Sequence, residues 1–160
     1  MNTIKYLVQL SFVCFVCIGF AQRSAIYSHE TVRYNSALSL YNTQQFQSAQ
    51  LIFKSVESTT SDFFLKSNAT YYIANCAVRL NQPNAEFLVE SFVRDYPSSI
   101  KRNSAYFEIA NYYFKTSKYA YACKWYEKVD INRLSISNWE PFHFSYGYSL
   151  YKIKNYEKAK

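Results

Sequence analysis

One spacing, met four times along the chain, constrains its fold more than any other feature. It is clearest between Ala105 and Lys128, AYFEIANYYFKTSKYAYACKWYEK, where Tyr113, Tyr119, Ala122 and Tyr126 stand three, nine, twelve and sixteen residues after Ala110. Two helices joined by a tight turn carry such small and large apolar residues on their facing sides. The spacing returns upstream as Ala37, Leu40, Phe46, Ala49 and Phe53, and downstream as Gly147, Leu150, Tyr156 and Ala159. A weaker copy, Ala74, Ala77, Pro83 and Glu86, lies between them. The anchors at 37, 74, 110 and 147 are separated by 37, 36 and 37 residues. A single helix pair cannot bury its own apolar face, so this period predicts an all-α chain in which antiparallel hairpins stack as an α-solenoid.

Composition agrees with that reading. With 160 residues and 49% apolar content the chain is sized for one domain with an ample core. Only two glycines occur, which disfavours tight-turned sheets and phosphate-cradling loops. The 17 tyrosines and 13 phenylalanines are expected to pack helix on helix, with the tyrosine hydroxyls at the edges. The net charge of +7 is spread without a run of five like charges, so it reads as a mixed, solvated surface.

The first 21 residues read as a secretory signal: Lys5, an apolar run from Leu7 to Phe20, and small residues at Gly19 and Ala21. The run of 14 residues is short of the roughly 20 that a spanning helix needs. The mature chain is then expected to begin near Gln22, in the periplasm or at the outer membrane, peripheral to a membrane at most. Export also argues against a nucleic-acid partner. Cys76 and Cys123 remain as the mature thiols. Each neighbours a small packing residue and reads as a buried apolar thiol, with a disulfide between them left open. Two cysteines and two distant histidines do not make a metal site.

Hairpins are expected at about 24–58, 62–96, 99–129 and 138–160, the last incomplete. In the first, a helix over 23–42 turns Ala37 and Leu40 inward, while Arg33 and Ser36 stand where the third hairpin has Tyr106 and Ile109, as suits an end-capping unit. Its return helix is expected from Gln45 to Val56, and Ser58, Thr59, Thr60 and Ser61 form a linker that offers N-caps. The second hairpin turns at Asn81, Gln82, Pro83 and Asn84, with Ala85 standing in for the small residue by a one-residue shift. Tyr96-Pro97-Ser98-Ser99 ends it, and either serine is a candidate cap for the next helix. The exit from Asp130 to Ser137 is expected to tuck in Ile131, Leu134 and Ile136. Ser137 with Glu140 reads as a capping box, and Pro141 falls in the first turn. The fourth hairpin turns at Lys154 and Asn155 and reaches Lys160 just past Ala159, which reads as a chain that continues.

No catalytic constellation is visible. His29 and His143 stand alone, and neither a nucleophile elbow nor a metalloprotease motif occurs. Asn68-Ala69-Thr70 matches a glycosylation acceptor but is expected inside a helix. A more informative pattern lies on the first helix of each hairpin. Three residues before the anchors come Tyr34, Tyr71, Phe107 and Phe144; one after them, Leu38, Asn75, Asn111 and Tyr148. Four after them come Tyr41, Val78, Phe114 and Tyr151, and five after them Asn42, Arg79, Lys115 and Lys152. Offsets of four and three keep most of these on one helical stripe with a basic edge.

The repeated spacing, the AYFEIANYYF stretch and the YPSS junction resemble the tetratricopeptide repeat family, in particular its exported bacterial members, over about residues 24–160. In that family the first-helix stripe lines a concave groove. The resemblance therefore implies a groove of Tyr34, Leu38, Tyr41, Tyr71, Asn75, Arg79, Phe107, Asn111, Phe114, Lys115, Phe144, Tyr148, Tyr151 and Lys152. It implies a non-enzymatic scaffold, without cofactor, that holds peptide or helix segments of other envelope proteins. The lysine of the family's carboxylate-clamp members is replaced by Tyr34, so capture of a terminal carboxylate is not implied. One alternative is a carbohydrate or peptidoglycan binder whose aromatics stack on sugar rings, a reading that tyrosine pairs flanked by acidic or amide groups would favour. Another is an N-terminal regulatory part of a larger envelope protein. A third, structural, reading has the stripe aromatics filling contacts between successive first helices. Alanine at both Asn75 and Phe107 separates groove from core: little change in folding if they line a groove, unfolding if they are core.

Overall fold

The computed structural model describes residues 29–159. The expected signal at 1–21 lies outside them. The described residues are helical, without a strand, and hold helices α1 (29–42), α2 (Phe46–Thr59), α3 (Phe63–Arg79), α4 (Ala85–Asp95), α5 (Arg102–Lys115), α6 (Tyr119–Tyr126), α7 (Trp139–Lys152) and α8 (Tyr156–Ala159). Two 3-10 turns, Ile131–Arg133 and Ile136–Asn138, carry the chain from α6 to α7.

The turns inside the hairpins are copies of one another. Each places one residue in the left-handed region: Gln44 (φ 63°), Asn81 (52°), Ser117 (60°) and Lys154 (61°). The N–H of the next residue reaches back five positions, from Gln45 to Leu40, Gln82 to Ala77, Lys118 to Tyr113 and Asn155 to Leu150, at 2.8–2.9 Å. The left-handed residue's own N–H bonds the carbonyl three back, on Tyr41, Val78, Phe114 and Tyr151. This double closure satisfies the carbonyls that a helix end leaves open. The four left-handed residues repeat the 37, 36 and 37 spacing of the anchors. In each hairpin the anchor lies seven residues before this turn residue, so helix length and turn are set together.

Consecutive helices pack α2 on α3, α3 on α4, α5 on α6, α6 on α7 and α7 on α8, while α3 touches α5 and α5 touches α7. The small anchors permit this close approach: Ala37 with Ala49, and Ala110 with Ala122, have no exposed surface. At Gly147 an added Cβ would meet the Ala159 carbonyl oxygen at 3.9 Å, an ordinary contact. One core cluster joins Ala37, Ala49, Phe53, Val56, Ala69, Ile73 and Cys76. A larger one runs from Tyr71 through Phe92, Phe107 and Trp125 to Phe142, and Tyr72 and Leu88 pack against both. Burying a large apolar side chain contributes about 1.5–3 kcal/mol. Trp125, Tyr126, Phe53, Phe92, Ile109 and Leu150 are the principal contributors by size. Ala85 is buried beside the half-exposed Glu86, as the one-residue shift requires. Cys76 and Cys123 are free and buried, and burial pushes the Cys76 thiol up to about 12.

Several local expectations are corrected. Helix α2 runs three residues further than Val56, to Thr59, and the cap of α3 is Asp62, whose carboxylate accepts the Leu65 N–H at 2.9 Å. None of the linker hydroxyls takes that place; Thr60 Oγ1 accepts from the Asp62 N–H instead. Neither Ser98 nor Ser99 caps α5, because the helix begins two residues later and the Ser99 hydroxyl is used by the Lys101 N–H. The expected capping box does not close: α7 is capped at Asn138 without a side-chain bond, and the Ser137 hydroxyl pairs with Ser135. Of the three exit residues Leu134 is buried and Ile131 packs on the core, but Ile136 is 82% exposed, since the second 3-10 turn points it outward.

Candidate functional site

The stripe on the first helices divides into a packed part and an open part. On α1, Tyr34 and Tyr41 lie 6.2 and 4.9 Å from the Tyr72 ring, and Leu38 packs on the same cluster, so these three are half-buried against α3. Burial raises the Tyr34 and Tyr41 hydroxyls to about 12, out of reach of proton transfer at neutral pH. Tyr71, Asn75 and Phe107 are buried at 7, 4 and 5% exposure. Phe107 meets Tyr126 and Phe142, each at 6.4 Å, and Tyr71 meets Phe92 at 5.6 Å. The expectation that these three present free groove surface is corrected: Tyr71 is packed against the return helix α4, Phe107 against α6 and α7, and Asn75 is buried beside them. An Asn75/Phe107 double alanine variant therefore strikes the core.

Arg79 and Asn111 in the middle of the stripe are committed as well, whereas Asn75 Oδ1 is buried without a hydrogen-bond partner. Arg79 pairs with Glu108 across α3 and α5, with the two side chains only about a third exposed, at 28 and 33%. The Tyr126 hydroxyl donates to Asn111 Oδ1 at 2.6 Å, linking α6 back to α5. The basic edge expected from Arg79 to Lys152 is thus interrupted at Arg79, where the charge is balanced.

The open part lies where α5, α6 and α7 converge. Phe114 comes from the last turn of α5, Tyr119 from the start of α6, and Phe144 and Tyr148 from successive turns of α7. Phe114 stands 6.3 Å from Phe144 and 5.9 Å from Tyr148, both edge-on, and Tyr119 stands 5.8 Å from Tyr148. Phe144 and Tyr148 stack at 6.0 Å with 25° between ring planes. The Lys152 ammonium lies 5.3 Å from the Tyr148 centroid and 6.0 Å from that of Tyr119. Phe144 keeps 64% of its surface exposed and Tyr148 37%, and Lys115 is exposed at the rim. The remaining stripe residue, Tyr151, turns to Tyr156 at 5.7 Å and stays 58% exposed.

The sequence pattern therefore leads to Phe114, Phe144, Tyr148 and Lys152 as one site, with Lys115 and Tyr151 beside it. It misses Tyr119, which the spacing assigns to packing. The available signal is the turn itself: a three-residue reversal brings position 119 back beside position 114. Grouped, exposed rings under a cation have the chemistry of a recognition surface rather than of a reaction centre. Ring faces offer large contact area with few torsions to freeze, and the ammonium polarises them. Among the described residues no group of His, Cys, Asp and Glu is placed to hold a metal ion, and His29 and His143 are both exposed. No helix of the described residues is long and apolar enough to cross a membrane. Comparison with protein-family models, curated proteins and solved structures returns no match.

Proposed function

We propose that this chain is a tetratricopeptide-like solenoid, exported to the cell envelope, that serves as a non-enzymatic scaffold and holds a segment of a partner protein on the Phe114–Tyr119–Phe144–Tyr148 face. The observation that carries the reading is the preassembled cluster of the Phe114, Tyr119, Phe144 and Tyr148 rings beneath the Lys152 ammonium. An isolated exposed aromatic is ordinary, whereas rings held in contact by three helices are fixed before binding, so little ordering cost remains. The solenoid part of the reading is supported by the four equivalent left-handed turns and by the contacts of α3 with α5 and α5 with α7. The partner segment carries apolar or aromatic residues for the ring faces and acidic residues beside them, to meet Lys115 and Lys152.

Position selects the experiment. A photo-cross-linking amino acid placed at Tyr148 is compared with the same group at Phe64, which is 77% exposed on α3 away from the ring cluster. In envelope extracts the Tyr148 probe is expected to give a discrete protein adduct that Phe144→Ser removes. Equal adducts from both positions would show general stickiness and sink the proposal.

A further inference from the structure

Outside the stripe, the turns of the second and third hairpins bound a cavity of about 680 Å³, lined by Asn81, Gln82, Pro83, Glu86, Tyr113, Lys118 and Tyr121. The volume is in the range of small-molecule sites. Its groups are already positioned by their neighbours. The Tyr113 hydroxyl donates to Glu86 Oε1 at 2.8 Å, and the Lys124 ammonium reaches Glu86 Oε2 at 3.2 Å. The Tyr112 hydroxyl donates to Asn81 Oδ1 at 2.9 Å. Gln82 and Gln50 exchange amide hydrogen bonds of 2.9 and 3.1 Å. The Tyr121 ring lies 5.4 Å from the Tyr113 ring, inclined 34° to it, and remains 53% exposed. The Lys118 ammonium sits over Tyr113 at 5.7 Å, which leaves the Tyr121 face as the open platform.

We propose that this cavity binds one ring of an uncharged oligosaccharide. The chemistry selects that class. A purely apolar ligand would cover the remaining lone pairs of the Glu86 carboxylate and the Asn81 Nδ2 group, which the bonds above leave unmet, at a cost that apolar contact does not offset. A phosphate or carboxylate would face the Glu86 carboxylate, while the nearby cations are engaged, Lys124 with Glu86 and Lys118 over the Tyr113 ring. A pyranose presents a C–H face to Tyr121 and, at its rim, hydroxyls that donate to the carboxylate and exchange hydrogen bonds with the amides. A tyrosine pair flanked by an acid and amides favours a sugar, and Tyr113, Tyr121, Glu86, Asn81 and Gln82 form one here. The inference is independent of the segment-binding reading, because the two sites share no residue.

The test is an amide-resolved NMR titration of the full chain with chitotriose, cellotriose and maltotriose in turn. At least one is expected to shift the amides of residues 81, 82, 84–86 and 117–121. Tyr121→Ala should weaken that sugar on the order of tenfold, about 1.4 kcal/mol, and Tyr121→Phe should retain it. Glu86→Gln, which keeps the side chain's shape, should weaken it without moving Tyr121. If none of the three sugars shifts these amides, or if both Tyr121→Ala and Glu86→Gln bind as the parent does, the proposal is overturned. Shifts confined to Phe144–Lys152 would also overturn it, placing the sugar on the other face.

Discussion

At Ser117 the backbone takes φ 60° with a Cβ attached, and no glycine occupies any of the four equivalent turn positions. A left-handed residue other than glycine carries roughly 1–2 kcal/mol of steric cost, while glycine loses more entropy on folding, so the two partly offset. Ser117→Gly should therefore raise stability by about 0.5–1 kcal/mol, read as an increase in the urea midpoint at unchanged slope. Glu86 offers a second residue-level test. Burial disfavours its charge, but hydrogen bonds from Tyr113 and Lys124 and the Lys124 charge together hold its carboxyl below the ordinary 4.5. A carboxyl depressed in the folded state contributes stability above its unfolded value and loses it as pH falls through the folded one. The thermal midpoint should drop as the solution is acidified below about 4.5, and Glu86→Gln should remove part of that dependence. The sequence displayed Glu86 only as a misfit to the repeat; that it anchors Tyr113 requires the fold, because the two are brought together from different hairpins.

Helices were legible where apolar periodicity and turn length agreed, and less so where side-chain caps decided the boundary. The anchors Ala37, Ala74, Ala110 and Gly147 stand on the first helices, and Ala85 supplies the small residue of the second return helix, because a small residue is what lets two helix axes approach. The caps were misread for a physical reason. Serine and threonine hydroxyls compete among several local backbone groups, and here Thr60 and Ser99 each close a short turn before the helix instead of capping it. Asp62 carries the cap of α3 through its bond to Leu65, and α3 is the helix that α2, α4 and α5 all contact. Asp62→Ala is expected to cost about 1 kcal/mol, within the 0.5–2 seen for lost N-caps, with the loss measured by chemical denaturation. Asp62→Asn should restore most of it.

Among the described residues the stripe aromatics have two fates: Tyr71 packs against α4 and Phe107 against α6 and α7, whereas Phe144 keeps most of its surface open. The sequence shows identical chemistry at these positions, so their fates become visible only once the packing of the helices is known. Phe107→Ala should cost about 3–5 kcal/mol and broaden or lower the melting transition, as expected for a large core truncation. Phe144→Ser gives up ring contacts with Phe114 and Tyr148 and should cost only about 0.5–1.5 kcal/mol, with helicity nearly unchanged. That asymmetry makes the exposed face testable without disturbing the fold. The most direct measurement is the affinity of the protein cross-linked through Tyr148, or of its cross-linked segment, for the parent chain, for Phe144→Ser combined with Tyr148→Ser, and for Phe64→Ser. The account predicts a loss of at least about tenfold for the double variant and none for Phe64→Ser. Unchanged binding by a folded double variant would contradict it.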